Sequence, residues 1–233
     1  MRVLRYSQEN GARKARGLTV IIDVFRAFTC EPLLYHLGVD SIIIESDINT
    51  CLGYSGKALL IGEQDGRPIE GFDLGNSPWD IMAQDEGFFT GRTILHRTTS
   101  GVSGAVAAFE HSETVLLASF VNARATTDYI LNTNPELVSI VAMGVVSVEP
   151  TPEDEFCGNY IESLLTGTSY DHVHSIDNIL ASESAQKFLR GDKSWYPKED
   201  PVICLQRDLF DFALKVEYDN NKLTVKKITV DSR

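Results

Sequence analysis

Leu18 to Ile22, LTVII, is a continuous apolar and β-branched run with no polar residue set at every second place to face water. A strand with one wet face alternates, whereas a strand covered on both faces does not, so this run reads as an interior strand of a parallel sheet. Asp23 ends it, and Arg26 follows three residues later, before Pro32 and a helical pattern through Leu33, Leu34 and Leu37 that Gly38 closes. Ser41 to Glu45, SIIIE, is the next strand, which completes a βαβ pattern.

The design recurs. Thr114 to Ala118, TVLLA, leads into SFVNARATTDYIL, whose latter part is helical, and then into Leu137 to Ala142, LVSIVA. VIIDVFRA and VLLASFVNA both place a polar cluster directly after an apolar strand, which suggests an internal βαβ duplication with halves at 18–110 and 114–233. Ala58 to Ile61 and Thr93 to Leu95 supply further short strands, each running into a glycine-containing polar segment. The expected fold is a single α/β unit over 1–233, layered α/β/α around a mainly parallel sheet. Open sheets of this kind bind ligands beyond the carboxyl ends of their strands, so one crevice can collect all the polar clusters. Further on, Thr151 to Leu165 predicts a helix with Thr151 as N-cap and Pro152 at its first position. Ile176 to Leu189 predicts another helix, Pro201 to Leu205 a strand, and VEYDNNKLTVKKITV a hairpin turning at Asn220 and Asn221.

Gly62 to Pro78, GEQDGRPIEGFDLGNSP, reads as a loop, because four glycines and two prolines prevent a helix or a long strand from persisting. Glu63, Asp65, Glu70 and Asp73 lie in it among little apolar material. Ordering such a segment costs entropy that a ligand, a metal or the rest of the fold must offset.

Composition narrows the function classes. The 233 residues carry a formal charge of −12, which argues against a nucleic-acid surface while leaving room for a small anionic substrate held by local cations. No segment approaches the roughly 18 uninterrupted apolar residues of a membrane span, and the first residues lack the apolar core of a secretory signal, so a cytoplasmic protein is expected. Cys30, Cys51, Cys157 and Cys204 are scattered without a CxxC pair, which indicates reduced thiols.

Taken in order, VIIDVFRA, GE, GRPIEGFDLGNSP, RTTSG, ASFVNA and PEDEFCGNYI resemble the 2-phosphosulfolactate phosphatase family, over about Val20 to Leu165. A looser echo follows in CLQRDLFDF at Cys204 to Phe212, and GFDLGNSP is the most specific element. The resemblance implies an α/β phosphatase that uses Mg²⁺ to hydrolyse a 2-phospho-3-sulfolactate-like ester, as in coenzyme M biosynthesis. Gln64 stands where the family has the arginine of GER, Phe28 replaces the first threonine of RATT, and HRTTSGVSG departs from TTTNGT. His96 and Arg97 are the residues expected to compensate.

Within that resemblance Asp23 is the leading metal ligand or phosphate-accepting nucleophile, since a carboxylate at a strand's carboxyl end is fixed by the sheet. A capping aspartate is the structural alternative. DVF lacks the DxD spacing of aspartyl-phosphate enzymes, so direct attack by water stays open. Glu63 and Asp73, with Glu153 and Asp154, are the other carboxylates offered to Mg²⁺, although acids in a helix's first turn are stabilised by its dipole alone. Arg26 and Arg97 suit forked recognition of oxyanions. Thr98, Thr99, Ser100 and Gly101 form a hydroxyl-rich turn before a helix, where hydroxyls and amides could cradle phosphate. Asn76, Ser77, Ser119 and Asn122 are candidate neutral donors, Cys157 is assigned to the core, and His172 and His174 to the surface. The expected partners are a small phosphate ester and, as an open alternative, a second copy in a homodimer; neither nucleic acid nor membrane is expected. A phosphatase for a different ester and a non-catalytic binder of an anionic metabolite are the competing readings.

Overall fold

Val20 and Ile22 pack into one buried cluster and Ile21 into another, so the LTVII strand is covered on both faces as its sequence predicts. The same division recurs at Leu116 and Ala118 against Val115 and Leu117. The structure is a computed structural model that describes residues 1–145 and 149–230. Its first part contains β1 (Arg2–Ser7), α1 (Gln8–Lys14), β2 (Leu18–Ile22), α2 (Ala27–His36), β3 (Ser41–Ile44), α3 (Ile48–Leu52), β4 (Leu59–Gln64), β5 (Arg67–Pro68) and α4 (Pro78–Met82). There follow β6 (Thr93–Arg97), α5 (Gly101–Phe109), β7 (Thr114–Ala118), a 3₁₀ turn (Phe120–Asn122), α6 (Ala123–Thr133) and β8 (Leu137–Ala142). The rest is α7 (Pro152–Thr166), α8 (His172–Ala181), α9 (Glu183–Leu189), α10 (Asp200–Cys204), β9 (Phe212–Asp219) and β10 (Lys222–Thr229).

The strands form one mostly parallel sheet in the order β1-β8-β2-β7-β9-β10-β3-β6-β4-β5, with helices on both faces. β1, β8, β2 and β7 make one parallel block, and β3, β6 and β4 another. The β9–β10 hairpin sits between them, antiparallel to β7 on one side and to β3 on the other. Its two-residue turn has Asn220 at φ 49° and Asn221 at φ 60°, the left-handed pair that matches strand twist. Neither βαβ pattern produces adjacent strands: β2 lies between β7 and β8, and β3 lies beyond the hairpin.

This arrangement has a consequence for the site. Three antiparallel pairings reverse the second block, so a flat sheet would put the carboxyl ends of the two blocks at opposite edges. The two blocks nevertheless meet at the site, where Gly101 N, beyond the end of β6, donates to Asp23 Oδ2, beyond the end of β2, at 2.8 Å.

Three local expectations change. Pro201 to Leu205 is part of the helix α10, because Asp200 and Pro201 supply an acidic first turn and a proline start, and a five-residue apolar run does not declare its period. The helix expected over Ile176 to Leu189 is two, broken at Ser182, whose extended backbone (φ −76°, ψ 155°) ends α8 and begins α9. Pro32 lies inside α2 instead of at its start. Its missing N–H leaves the Phe28 carbonyl without a helical partner, and the Ser119 hydroxyl donates to that oxygen at 2.8 Å. Among the described residues no helix is long and apolar enough to cross a membrane.

Ser119 is fully buried, so its loss strands a backbone carbonyl. Ser119→Ala is expected to lower stability by about 1–3 kcal/mol in urea denaturation. A rise in KM for a phosphate ester at unchanged stability would mean that the hydroxyl faces substrate instead.

Candidate functional site

Asp23 is delivered by β2 to the place where two helices begin. Its Oδ1 accepts Ala27 N at 3.2 Å, at the start of α2, and its Oδ2 accepts Gly101 N at the start of α5. A Cβ at position 101 would stand 2.7 Å from that carboxylate oxygen, so only glycine permits the approach. Two helix N-termini favour the anion. Burial, followed by the charge of Glu63, outweighs them and pushes the Asp23 carboxyl up to about 7.

Glu63, at the end of β4, joins the glycine-rich loop to the TTSG turn. Its Oε1 accepts Thr99 N and its Oε2 accepts Gly66 N, both at 2.5 Å. Gly66 has φ +79°, and a side chain there would run into the Tyr196 hydroxyl. The rest of the loop is held by the sheet: Asp73 N and Leu74 N donate to Leu60 O, and Gly62 N donates to Leu74 O. The entropy cost raised by the loop's sequence is thus met largely by backbone pairing with β4. Asp73 turns away from the other acids, its Oδ2 accepting Leu60 N at 2.7 Å.

The amides offered to a phosphate by the TTSG turn are committed within the protein. Thr99 N goes to Glu63, Gly101 N to Asp23, and Val102 N to Thr98 Oγ1 at 3.0 Å. Arg97 is a brace, donating to Ser46 O at 3.1 Å and to Glu63 O at 2.5 Å. His96 is fully buried between Glu31 Oε1 at 2.9 Å and Asn76 Oδ1 at 3.1 Å. Neither His96 nor Arg97, expected to compensate for Gln64, is among the residues lining the cavity of Asp23 and Glu63. Gln64 itself is exposed beside β5, and Phe28 is buried beneath Gly101.

Asp23, Arg26, Glu63, Asn76, Thr99 and Ser100 line one cavity of about 110 Å³. Ser77 is turned instead to Asp200, its Oγ donating to Oδ1 at 2.8 Å. Ser119 and Asn122 share a capping box around the 3₁₀ turn. Asp154 braces the loops after β2 and β8, accepting Val24 N at 2.7 Å and Gly144 N at 2.8 Å. Its carboxyl is pushed well above the ordinary range by burial and by the charges of Asp23 and Glu153. Glu153 Oε2 accepts the Ser184 hydroxyl at 2.6 Å, and burial raises its carboxyl as well. Cys157 lies in the core as expected, and all four cysteines are buried and unpaired.

The cavity is completed by residues that the motifs did not reveal. Lys187, Phe188 and Tyr196 also line it. Asp200, fully buried, accepts Arg26 Nη1 at 2.9 Å on one oxygen, and Ser77 Oγ with Trp79 N on the other. Arg26 Nη1 also reaches Trp195 O, and its guanidinium lies 5.3 Å from the Phe188 ring and 5.6 Å from that of Tyr196. In the sequence this region passes for a surface helix and a polar connection; the start of α10 at KEDP was the signal available.

Two carboxylates and two cations lining one small cavity form a setting for phosphoryl chemistry. Among the described residues, no group of three or more His, Cys, Asp or Glu is gathered tightly enough to form a metal centre by itself. Asp23 and Glu63 still fit Mg²⁺, which usually takes one or two carboxylates and completes its shell with water and substrate oxygens. Both Asp23 oxygens and Glu63 Oε1 each accept one N–H and keep a lone pair, while Glu63 Oε2 accepts both Gly66 N and the Thr99 hydroxyl.

A family profile described as 2-phosphosulpholactate phosphatase matches residues 4–218. The chain belongs to the 2-phosphosulpholactate phosphatase family. These are phosphoric monoester hydrolases. A probable 2-phosphosulfolactate phosphatase of Bacillus subtilis (strain 168) is 27% identical over 237 residues, spanning 99% of this chain and 100% of that one. Another, from Caldicellulosiruptor saccharolyticus, is 33% identical over 230 residues and spans 90% of this chain and 91% of its own. A third, from Microcystis aeruginosa, is 32% identical over 168 residues, 70% of this chain and 68% of its own. The match extends past the motif region of this family member into β9, so the segment carrying Lys187, Tyr196 and Asp200 lies within it.

Burial raises the carboxyls of Asp23, Glu31, Glu153, Asp154 and Asp200 above their ordinary values. In that range the folded protein keeps protons that the unfolded chain has released, so stability falls as pH rises from about 4 towards 7. Urea unfolding in EDTA across this window is expected to show that decline. A rise in stability with pH would contradict the burial of these acids.

Proposed function

We propose that this protein is a Mg²⁺-dependent phosphatase of a small 2-phosphohydroxy acid, with (2R)-2-phospho-3-sulfolactate, cleaved to 3-sulfolactate and phosphate, as its foremost substrate. The observation that carries the reading is the gathering of Asp23 and Glu63 with Arg26 and Lys187 in the lining of one cavity. Family membership supports the reaction class. A role in coenzyme M biosynthesis and a cytoplasmic setting, in keeping with four unpaired thiols, belong to the same reading.

Asp23 and Glu63 would hold the Mg²⁺, which when bound supplies charge neutralisation on phosphate oxygens. Arg26 anchors the phosphate. Its Nη1 is committed to Asp200 and Trp195, while Nη2 meets Gly66 O only at 3.4 Å and so has donors for an incoming oxyanion. Asp200 and the two rings fix the guanidinium before substrate arrives, which spares reorganisation during the reaction. Phe25, Phe188 and Tyr196 contribute apolar surface to the cavity, so a bound ester that displaces its water would strengthen each charge interaction inside. With both oxygens of Asp23 accepting helix amides, the carboxyl is held in position, and a bound cation would favour its charged form.

The test is phosphate release from 2-phospho-3-sulfolactate and from phospholactate, each with Mg²⁺ or with EDTA. Release that requires Mg²⁺ is expected, together with a drop in kcat of roughly 10²-fold or more in Asp23→Asn. Tight binding of the ester by folded, Mg²⁺-loaded protein with no release would replace this reading with that of a metabolite-binding protein.

A further inference from the structure

Lys187 belongs to none of the motifs that carry the family resemblance. It stands on α9, about one turn from Glu183, and lines the cavity with Asp23, Arg26 and Glu63. Its Nζ lies 5.3 Å from the centre of the Phe188 ring and 5.1 Å from that of Tyr196. Arg26 lies 5.3 Å and 5.6 Å from the same rings, so both cations occupy one aromatic wall.

Their charge states in the free protein differ. Arg26 is neutralised by Asp200 at 2.9 Å. Lys187 forms no ion pair with an aspartate or glutamate among the described residues; burial lowers its ammonium below the ordinary value while Glu153, which gives an oxygen to Ser184, acts in the opposite sense. Aromatic faces attract an ammonium but satisfy none of its three N–H donors. An ammonium that lines a cavity in this way gains from an incoming oxyanion, which would supply both the missing acceptor and the charge that burial disfavours.

The pairing of the two cations indicates which oxyanion each takes. Asp200 holds Arg26 at 2.9 Å, whereas Lys187 has no acid at ion-pair distance among the described residues. Arginine's fork suits the phosphate, whereas a point charge suits a singly charged group elsewhere on the ester. Building on the phosphatase reading, we propose that Lys187 is the specificity-determining contact for the substrate's non-phosphate oxyanion, a sulfonate or a carboxylate.

Steady-state kinetics of wild type, Lys187→Met and Lys187→Arg on four esters tests this. The esters are 2-phospho-3-sulfolactate, phospholactate with only the carboxylate, 2-phosphooxyethanesulfonate with only the sulfonate, and ethyl phosphate with neither. Lys187→Met is expected to raise KM roughly 10–100-fold on esters bearing the recognised group, with kcat nearly unchanged and ethyl phosphate unaffected. Lys187→Arg should recover most of the loss. The ester whose KM does not move names the group that Lys187 ignores. An equal loss on all four esters would make Lys187 a phosphate contact or a folding residue and overturn the proposal. Calorimetric binding of 3-sulfolactate separates this outcome from failure of the phosphatase reading. Weaker binding by Lys187→Met supports the proposal even if no ester is cleaved, and equal binding overturns it even if all are.

Discussion

The buried ion pair between Arg26 and Asp200 is the interaction on which the cavity depends. Asp200 has no exposed surface and Arg26 only 4%, so both charges have been taken out of water, which costs several kcal/mol per ion before any compensation. Compensation is complete on the acid: Arg26 takes one oxygen, and Ser77 and Trp79 N take the other. Removing either partner would leave a buried charge exposed to the full desolvation penalty. The pair joins three distant pieces of chain, the strand end at DVFRA, the GNSP turn that starts α4, and the start of α10. Without it the aromatic wall of Phe188 and Tyr196 has no charged tether to the strand ends.

A second constraint is the placement of helix N-termini. The α2 and α5 termini are aimed at Asp23, and the TTSG turn is aimed at Glu63, so amides that elsewhere serve phosphate here hold protein carboxylates. The site thereby gathers the carboxyls of Asp23 and Glu63 in the cavity that Arg26 and Lys187 also line. A divalent cation beside the carboxylates would relieve the repulsion between them.

Much of this was legible in the chain. Five-residue apolar runs that end in polar clusters identify strands buried on both faces, and the structure places Asp23, Glu63 and Ser100 where those strands end. The hairpin at Asn220 and Asn221 was equally readable from its turn chemistry. Its insertion at the centre of the sheet was not, because long-range pairing leaves no local pattern. His96 and Arg97 looked like substrate contacts because residue type and motif neighbourhood do not reveal where a side chain points; one is buried against Glu31 and the other holds backbone carbonyls. Asp200 and Lys187 were passed over for a related reason. An acid before a proline and a lysine on an amphipathic helix are ordinary surface features until the tertiary fold turns them inward.

The arrangement is tested most directly by a crystal structure of the protein with Mg²⁺ and orthovanadate, which mimics phosphate. Mg²⁺ density is predicted against the carboxylates of Asp23 and Glu63, with vanadate bonded to Arg26 inside the cavity. Vanadate bound elsewhere, or Mg²⁺ held by other acids with Asp23 and Glu63 unchanged, would contradict the assignment of this cavity as the site of phosphoryl transfer.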